Sequence, residues 1–325
     1  MSETVMPAAQ PEGPVLEVSD LTVTFPGLHG GATVTAVDRA SFVIGRGETL
    51  GLVGQSGSGK TTTGRAVLQL QKVTSGSVRL LGRELVGMGR KPLREMRRHM
   101  QFVQQNPYSS LHPRLTIGRI LSEPLEVHRT VSRARIRERI VELLELVNMD
   151  PKVVDRYPHE FSGGQRQRIV IARALAVNPD FVVCDEAVSA LDVRTQAQIV
   201  TLLQGLQERL GLSYLFVAHD LAIVREMAHR VAVMYSGQIV ELGPSAAVYD
   251  RPGHAYTRLL LDSIPVPDPA IQRLRLRNPL PDVRFVDSNP GPCAHAEDHA
   301  TTGTAPMHMI GPDHFVSCRF QPQPR

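Results

Sequence analysis

Residues 54–61 read Gly54-Gln55-Ser56-Gly57-Ser58-Gly59-Lys60-Thr61. They follow the short apolar run Glu48–Val53 and precede Thr62–Leu70, a segment able to form a helix. A strand, a glycine-rich turn and a helix in that order make a cradle for phosphate. The glycines let successive backbone N–H groups turn inward, where a Cβ would obstruct the anion. The helix N-terminus adds partial positive charge. In this setting Lys60 reaches the β- and γ-phosphates of a nucleoside triphosphate, and the Thr61 hydroxyl takes a Mg2+ position. Gly54, Ser56, Gly57, Gly59 and Thr62 complete the candidate cradle. The bland alternative is a flexible glycine loop, which leaves the full eight-residue pattern and its flanks unexplained.

Working outward, Phe181-Val-Val-Cys-Asp185-Glu186 is an apolar strand that ends in two carboxylates. Asp185, at the strand tip, can hold Mg2+ through a water, and Glu186 can orient and deprotonate an attacking water. Acidic residues also end strands as plain helix caps, so the pair gains meaning only beside the phosphate cradle, where it points to triphosphate hydrolysis. Tyr214–Ala218 is a second short apolar run, and both runs suit central parallel strands buried on two faces. Val15–Phe25 alternates as a half-buried strand. Ser132–Val147 reads as an amphipathic helix with Ile136, Ile140, Leu143, Leu144 and Val147 on one face. Val231–Tyr235 and Gln238–Leu242 read as a hairpin around Ser236-Gly237. Alternating strands and helices imply an α/β fold with a mainly parallel sheet, and the outer strands add an antiparallel layer.

Composition fits a globular chain: 42% of the 325 residues are hydrophobic and 21% charged. No run approaches the ~18 apolar residues of a bilayer span, and the first residues lack the pattern of a secretory signal. The three cysteines, Cys184, Cys293 and Cys318, are too few for a disulfide framework. A net charge of +4 calls for no nucleic-acid partner. Eleven of the 24 prolines fall within Ile264–Arg325, which reads as a loop-rich extension. Residues 1–14 read as a mobile leader.

Ser162-Gly163-Gly164-Gln165-Arg166 opens an apolar helix about 20 residues before the carboxylate strand. With this turn the chain resembles the ATP-binding cassette (ABC) proteins, whose signature motif it matches. A serine hydroxyl, glycine amides and a helix N-terminus again offer donors to an anion. The resemblance implies a P-loop NTPase cassette with a RecA-like mainly parallel sheet, an antiparallel β subdomain and an α-helical subdomain. It also implies that two cassettes pair head to tail, each signature closing on the γ-phosphate held by the other's loop. Gln105, in Gln104-Gln105-Asn106-Pro107, stands where the family's glutamine contacts Mg2+ and the attacking water. His219 matches the switch histidine, and Ser189-Ala190-Leu191-Asp192 the loop that meets the paired subunit. Phe25 is the candidate for stacking on adenine, with an ordinary core phenylalanine as its alternative. One departure stands out: after Glu186 the family usually has Pro-Thr, and this chain has Ala187-Val188.

Two further stretches resemble the ATPases of dipeptide and oligopeptide permeases. One is Gln105–Gly118, together with His159-Glu160-Phe161. The other is His254-Ala255-Tyr256-Thr257, with Ala in place of the family's Pro. The resemblance implies a cassette over 15–262, with its helical subdomain at about 105–175 and a permease-type extension over 263–325. It also implies that Gln105–Leu121 forms a groove for a coupling helix of the membrane subunit. Expected partners are a second, related but non-identical ATPase, two transmembrane permease subunits and, indirectly, an extracytoplasmic solute-binding protein. The place implied is the cytoplasmic face of the cell membrane, with ATP and Mg as cofactors. A nickel or other small-solute importer, an exporter with separate membrane subunits and a soluble regulatory cassette share the ATP motifs. Gly291-Pro-Cys293 and His314–Cys318 resemble the ends of the family's four-cysteine tail, but its two middle cysteines are missing. An iron–sulfur cluster is therefore not expected, nor is a zinc site built from His295, His299, His308 and His314.

Overall fold

The computed structural model describes residues 13–27, 32–263 and 307–318. One sheet is built from β1 (Leu16–Phe25), β2 (Val34–Ile44), β4 (Ser75–Leu80) and β5 (Arg83–Glu84), in the order β2-β1-β4-β5 with antiparallel pairs. The larger sheet contains β3 (Thr49–Val53), β6 (Met100–Val103), β7 (Phe181–Asp185), β8 (Ser213–Val217), β9 (Arg230–Tyr235), β10 (Gln238–Pro244), β11 (Met307–Gly311) and β12 (His314–Ser317). Its order is β11-β12-β10-β9-β3-β8-β7-β6. The run β9-β3-β8-β7-β6 is parallel, and β10, β12 and β11 join it antiparallel. The helices are α1 (Lys60–Val67), α2 (Arg90–Met96), α3 (Pro107–Ser110), α4 (Ile117–His128), α5 (Ile136–Leu146), α6 (Gly163–Leu175), α7 (Val193–Leu210), α8 (Leu221–Met227), α9 (Ser245–Asp250) and α10 (Ala255–Asp262).

The continuous apolar character of the central strands has a direct cause. Each strand sends alternate residues into two different cores. Phe181 and Val183 of β7, Leu215 and Val217 of β8, and Ala232 and Met234 of β9 face the core shared with the antiparallel sheet. Val182 and Cys184, Tyr214 and Phe216, and Val231 and Val233 face the core built with α4 to α8. Because both faces are covered, only the strand ends are free to carry chemistry. The C-terminal ends of β3, β7 and β8 lie side by side, where an open parallel sheet binds its ligands.

The expected strands form within a residue of their expected limits, and the β9–β10 hairpin forms with β10 running two residues further, to Pro244. Three expectations are corrected. The helix after the glycine turn starts at Lys60 and ends at Val67 rather than spanning Thr62–Leu70. Gly59, at φ 105°, launches it two residues early, and Gln69, at φ 53°, prevents its continuation. The first turn of the 132–147 segment is a 3-10 turn, Arg133–Arg135, and the α-helix begins at Ile136. The described part of the C-terminal extension is not loop-like: β11 and β12 form a hairpin that lengthens the main sheet through Glu241–Val316 and Leu242–Phe315 pairs. Strands of five and four residues are too short to show a period among surrounding prolines.

Helix α8 rests on β3 at Gly51, where a Cβ would come within 2.4 Å of Val224 Cγ1 and 3.0 Å of Ala228 Cβ. Gly51→Ala is expected to destabilise the chain by about 1–3 kcal/mol through overpacking. The urea-unfolding midpoint measures this, and an unchanged midpoint would mean that α8 can move off the strand.

Candidate active site

The glycine turn sits at the end of β3, and the backbone shows why glycines occupy it. Gly54 has φ 152°, and a Cβ there would lie 2.1 Å from the Met234 carbonyl oxygen. Gly59 has φ 105°, and its Cβ would lie 2.3 Å from the Ala36 oxygen. Gly57, at φ 80°, faces open space and is needed for its conformation alone. Gln55, Ser56 and Gly57 are exposed at the mouth, whereas Ser58 and Lys60 are each 5% exposed. The Lys60 ammonium is held inside the turn, donating to the Gly54 and Gln55 carbonyls at 2.8 Å each. Burial lowers its pKa, and the neighbouring Glu186 and Asp185 carboxylates oppose that shift.

Thr61 and Thr62 stand in the first turn of α1. The Thr61 hydroxyl donates to Asp185 Oδ1 at 2.9 Å, closing the 124-position gap between turn and strand tip. Asp185 is 5% exposed, and burial raises its pKa, with Glu186 adding to the shift and Thr61, Arg65 and Lys60 opposing it. A desolvated carboxylate beside a hydroxyl is a set of hard oxygen donors, which suits Mg2+. Glu186 has φ 49°. Its carboxylate receives Gln105 Nε2 at 2.6 Å and lies 3.5 Å from His219 Nδ1. Ser189 Oγ sits 3.4 Å from the same Gln105 nitrogen. Gln104 turns away to accept a hydrogen bond from Ser110. Thus Lys60, Thr61, Asp185, Gln105, Glu186 and His219, drawn from four separate segments, meet in one place.

The signature turn belongs to a second group. Ser162 caps α6: its Oγ accepts from Gln165 N at 3.4 Å, and its own N–H donates to Gln165 Oε1 at 3.0 Å. This is a reciprocal capping box. A Cβ on Gly164 would lie 2.4 Å from Thr195 Cγ2, and one on Gly163 would lie 3.2 Å from Leu191. Asp192 caps α7, accepting from the Thr195 amide at 3.0 Å and its hydroxyl at 2.7 Å; those bonds lower its pKa. Phe25 is half-buried at the end of β1, packed against the core shared with the antiparallel sheet.

The expected coupling groove needs correction at two positions. Leu111 is 3% exposed and Ile117 fully buried, both belonging to the helical-side core. Tyr108 alone of the three is exposed, with the Arg166 guanidinium 4.2 Å above its ring. The Cys184 thiol, pushed up to about 12 by burial, is no nucleophile. Cys293, His295 and His299 lie outside the described residues. Among the described residues no three His, Cys, Asp or Glu side chains gather as a metal site.

One contact had no signal in the sequence pattern: the Gln55 amide, inside the glycine turn, donates to the Tyr256 hydroxyl at 3.0 Å across 201 positions.

A family model described as ABC transporter matches residues 37–189. Another, described as the C-terminal region of oligopeptide/dipeptide transporters, matches residues 240–298. The chain is 46% identical over 306 residues to the oligopeptide transport ATP-binding protein OppF of Bacillus subtilis, covering 94% of this chain and 96% of that one. It is 48% identical over 309 residues to the glutathione import ATP-binding protein GsiA of Pectobacterium atrosepticum. That match covers 94% of this chain but spans only 48% of the relative's length. Among solved structures, a dimeric ATP-binding cassette in a post-hydrolysis state with ADP and Pi superposes with a TM-score of 0.64 at 29% identity, covering 71% of this chain and 98% of that one.

Asp185 gives a prediction whose sign is set by burial. A carboxyl whose folded pKa is raised costs stability as pH climbs from the ordinary aspartate value through the raised one. Asp185→Asn is therefore expected to raise the melting temperature of the nucleotide-free chain at pH 7.5 and to flatten its pH dependence through that window. Calorimetry at several pH values checks this; a lower melting temperature would mean that the Lys60 and Arg65 attractions outweigh burial.

Proposed function

Since the chain belongs to the ABC transporter ATPases, in the branch that carries the oligopeptide/dipeptide transporter C-terminal region, we propose that it is the ATP-hydrolysing subunit of an importer of di- and oligopeptides, held on the cytoplasmic face of the cell membrane by two permease subunits. No helix among the described residues is long and apolar enough to cross a membrane, so attachment falls to those subunits. The observation that carries the catalytic assignment is the convergence on Glu186 of Gln105 and His219, next to the Thr61–Asp185 pair.

In this reading, Gly54, Ser56, Gly57, Gly59 and Thr62 surround the triphosphate, and Phe25 supports the adenine. Lys60 exchanges the Gly54 and Gln55 carbonyls for β- and γ-phosphate oxygens. Glu186 accepts the proton of the attacking water. The Gln105 amide holds its carboxylate in place, and His219 meets the γ-phosphate. Thr61, Asp185 and Gln105 would hold Mg2+, which when bound offsets phosphate charge. Ser162, Gly163, Gly164, Gln165 and Asp192 face the nucleotide held by a second, related cassette; the dimeric structural neighbour supports such pairing. Closure on two shared nucleotides, and release once the γ-phosphate is cleaved, is a switch of the order-and-relax kind. An extracytoplasmic solute-binding protein acts on the far side of the permease. The 46% identity to an oligopeptide transport ATP-binding protein along nearly the whole chain supports peptide as the solute.

Glu186→Gln is expected to lower ATP turnover by roughly 100-fold or more, as loss of a general base does, while leaving binding of the fluorescent analogue mant-ATP intact. Near-normal phosphate release in that variant would remove Glu186 from its role. For the solute, vesicles rebuilt with the co-purifying permease subunits should accumulate a radiolabelled tripeptide only with ATP. Accumulation of nickel instead, or ATP-driven outward flux, would replace the peptide-import reading.

A further inference from the structure

The C-terminal hairpin is tied to the glycine turn by an unbroken series of buried and partly buried contacts. Glu241 on β10 is fully buried, and its carboxylate accepts three donors. Oε1 takes the Gly253 amide at 2.8 Å and His314 Nε2, from β12, at 2.7 Å. Oε2 takes the His254 amide at 2.9 Å. A carboxylate only accepts, so His314 carries its proton on Nε2. His254, itself fully buried, caps α10: its Nδ1 accepts from the Tyr256 amide at 3.1 Å. Tyr256 is 1% exposed, its ring packs at 4.5 Å on that of Tyr235, and its hydroxyl accepts the Gln55 amide. Burial holds the Tyr256 hydroxyl at about 12, so it keeps its own proton at neutral pH.

Two glycines show independently how closely the hairpin is seated. A Cβ on Gly243 would lie 2.7 Å from the His314 ring. One on Gly253 would lie 2.5 Å from both Ile310 and Val316. Both strands of the hairpin thus press on the two segments that Glu241 joins, β10 and the approach to α10.

We propose that Tyr256 is a positioning residue for ATP binding, fixing the Gln55 end of the phosphate cradle, and that the C-terminal hairpin sets the place of Tyr256 through His314 and Glu241. The proposal rests on reading residues 54–61 as the triphosphate cradle. Gln55 is where the turn must hold its shape when Lys60 leaves the Gly54 and Gln55 carbonyls for phosphate. Without the phenol oxygen, the Gln55 amide has to find another partner, and the empty turn gains conformations that ATP binding must then remove. The peptide-type C-terminal region is in this view part of the nucleotide site's scaffold, besides any contact it makes elsewhere.

The test uses the full chain and equilibrium binding of mant-ATP with Mg2+, well below the melting temperature. Tyr256→Phe, which removes one oxygen and keeps the ring on Tyr235, is expected to weaken binding by about three- to tenfold, the effect of one net hydrogen bond. His314→Ala is expected to weaken binding in the same direction, and His314→Gln, which keeps a donor toward Glu241, to restore it. A merely structural role would lower the melting temperature of Tyr256→Phe and leave its affinity at the wild-type value; that result overturns the proposal. His314→Ala with wild-type affinity would overturn the part given to the hairpin. Lys60→Ala separates the two readings, because it should abolish binding. If it binds as wild type, the cradle assignment falls and this inference with it; if it fails to bind while Tyr256→Phe is unaffected, only this inference falls.

Discussion

A lysine ammonium, 5% exposed and bonded to two backbone carbonyls, is the point on which the arrangement turns. Burying that charge is unfavourable unless acceptors surround it, and the glycine turn supplies them by wrapping its own carbonyls inward. The turn can do so only because Gly54 and Gly59 come against the backbone at Met234 and Ala36, closer than any side chain would permit. Those backbones belong to β9 and β2, one in each sheet. The cradle is therefore clamped between the two sheets, and its rigidity is inherited from both cores. The same desolvation that disfavours the Lys60 charge disfavours the Asp185 carboxylate beside it. Two opposite charges thus lie poorly solvated and near each other, an arrangement that a triphosphate with a divalent cation suits better than water does.

The second group of residues is arranged differently. Ser162 and Gln165 satisfy each other at the start of α6, and Asp192 bonds Thr195 at the start of α7. A serine oxygen used as an N-cap acceptor keeps its hydroxyl proton to donate, so capping and anion binding do not compete. The contact of Gly164 with Thr195 locks the start of α6 to α7. The signature turn and the Asp192 loop are therefore packed together, which the proposed closure on another molecule's nucleotide would require.

The fold and, in the first group, Lys60, Thr61, Asp185 and Glu186 were legible in the sequence because they rest on local patterns, whereas Gln105 and His219 were placed only by the family resemblance. A strand buried on two faces is written as a short run of β-branched and aromatic residues, and a phosphate cradle as glycines at fixed spacing. Long-range consequences were not legible. The hydroxyl that meets Gln55 belongs to a residue 201 positions away, and nothing in Tyr256 or its neighbours says where its ring goes. The β11–β12 hairpin escaped for a related reason: its edge strand leaves Met309 and Ile310 exposed, so no alternating apolar face was written into it. Leu111 and Ile117 lie in the stretch that the family resemblance assigns to a groove, and their neighbours are polar. In the structure they are the apolar anchors by which that polar segment is held to the helical core.

The departure at Ala187-Val188 shows how a loop can keep its shape with different residues. Glu186 adopts φ 49°, a conformation that costs an L-residue roughly 1–2 kcal/mol. Its amide donates to Val217 O at 2.8 Å, which ties it to β8. Its carbonyl accepts both the Ser189 amide at 3.1 Å and the Ser189 hydroxyl at 3.0 Å. Three hydrogen bonds at a net ~0.5–1.5 kcal/mol each are enough to offset that strain. Ala187 and Val188 then turn inward, 1% and 2% exposed, and pack into the helical-side core. The Pro-Thr of the family restricts this turn through a proline ring. Here the restriction comes from two buried aliphatic side chains and the hydrogen bonds to Val217 and Ser189, which together present the carboxylate to Gln105 and His219 without a proline ring.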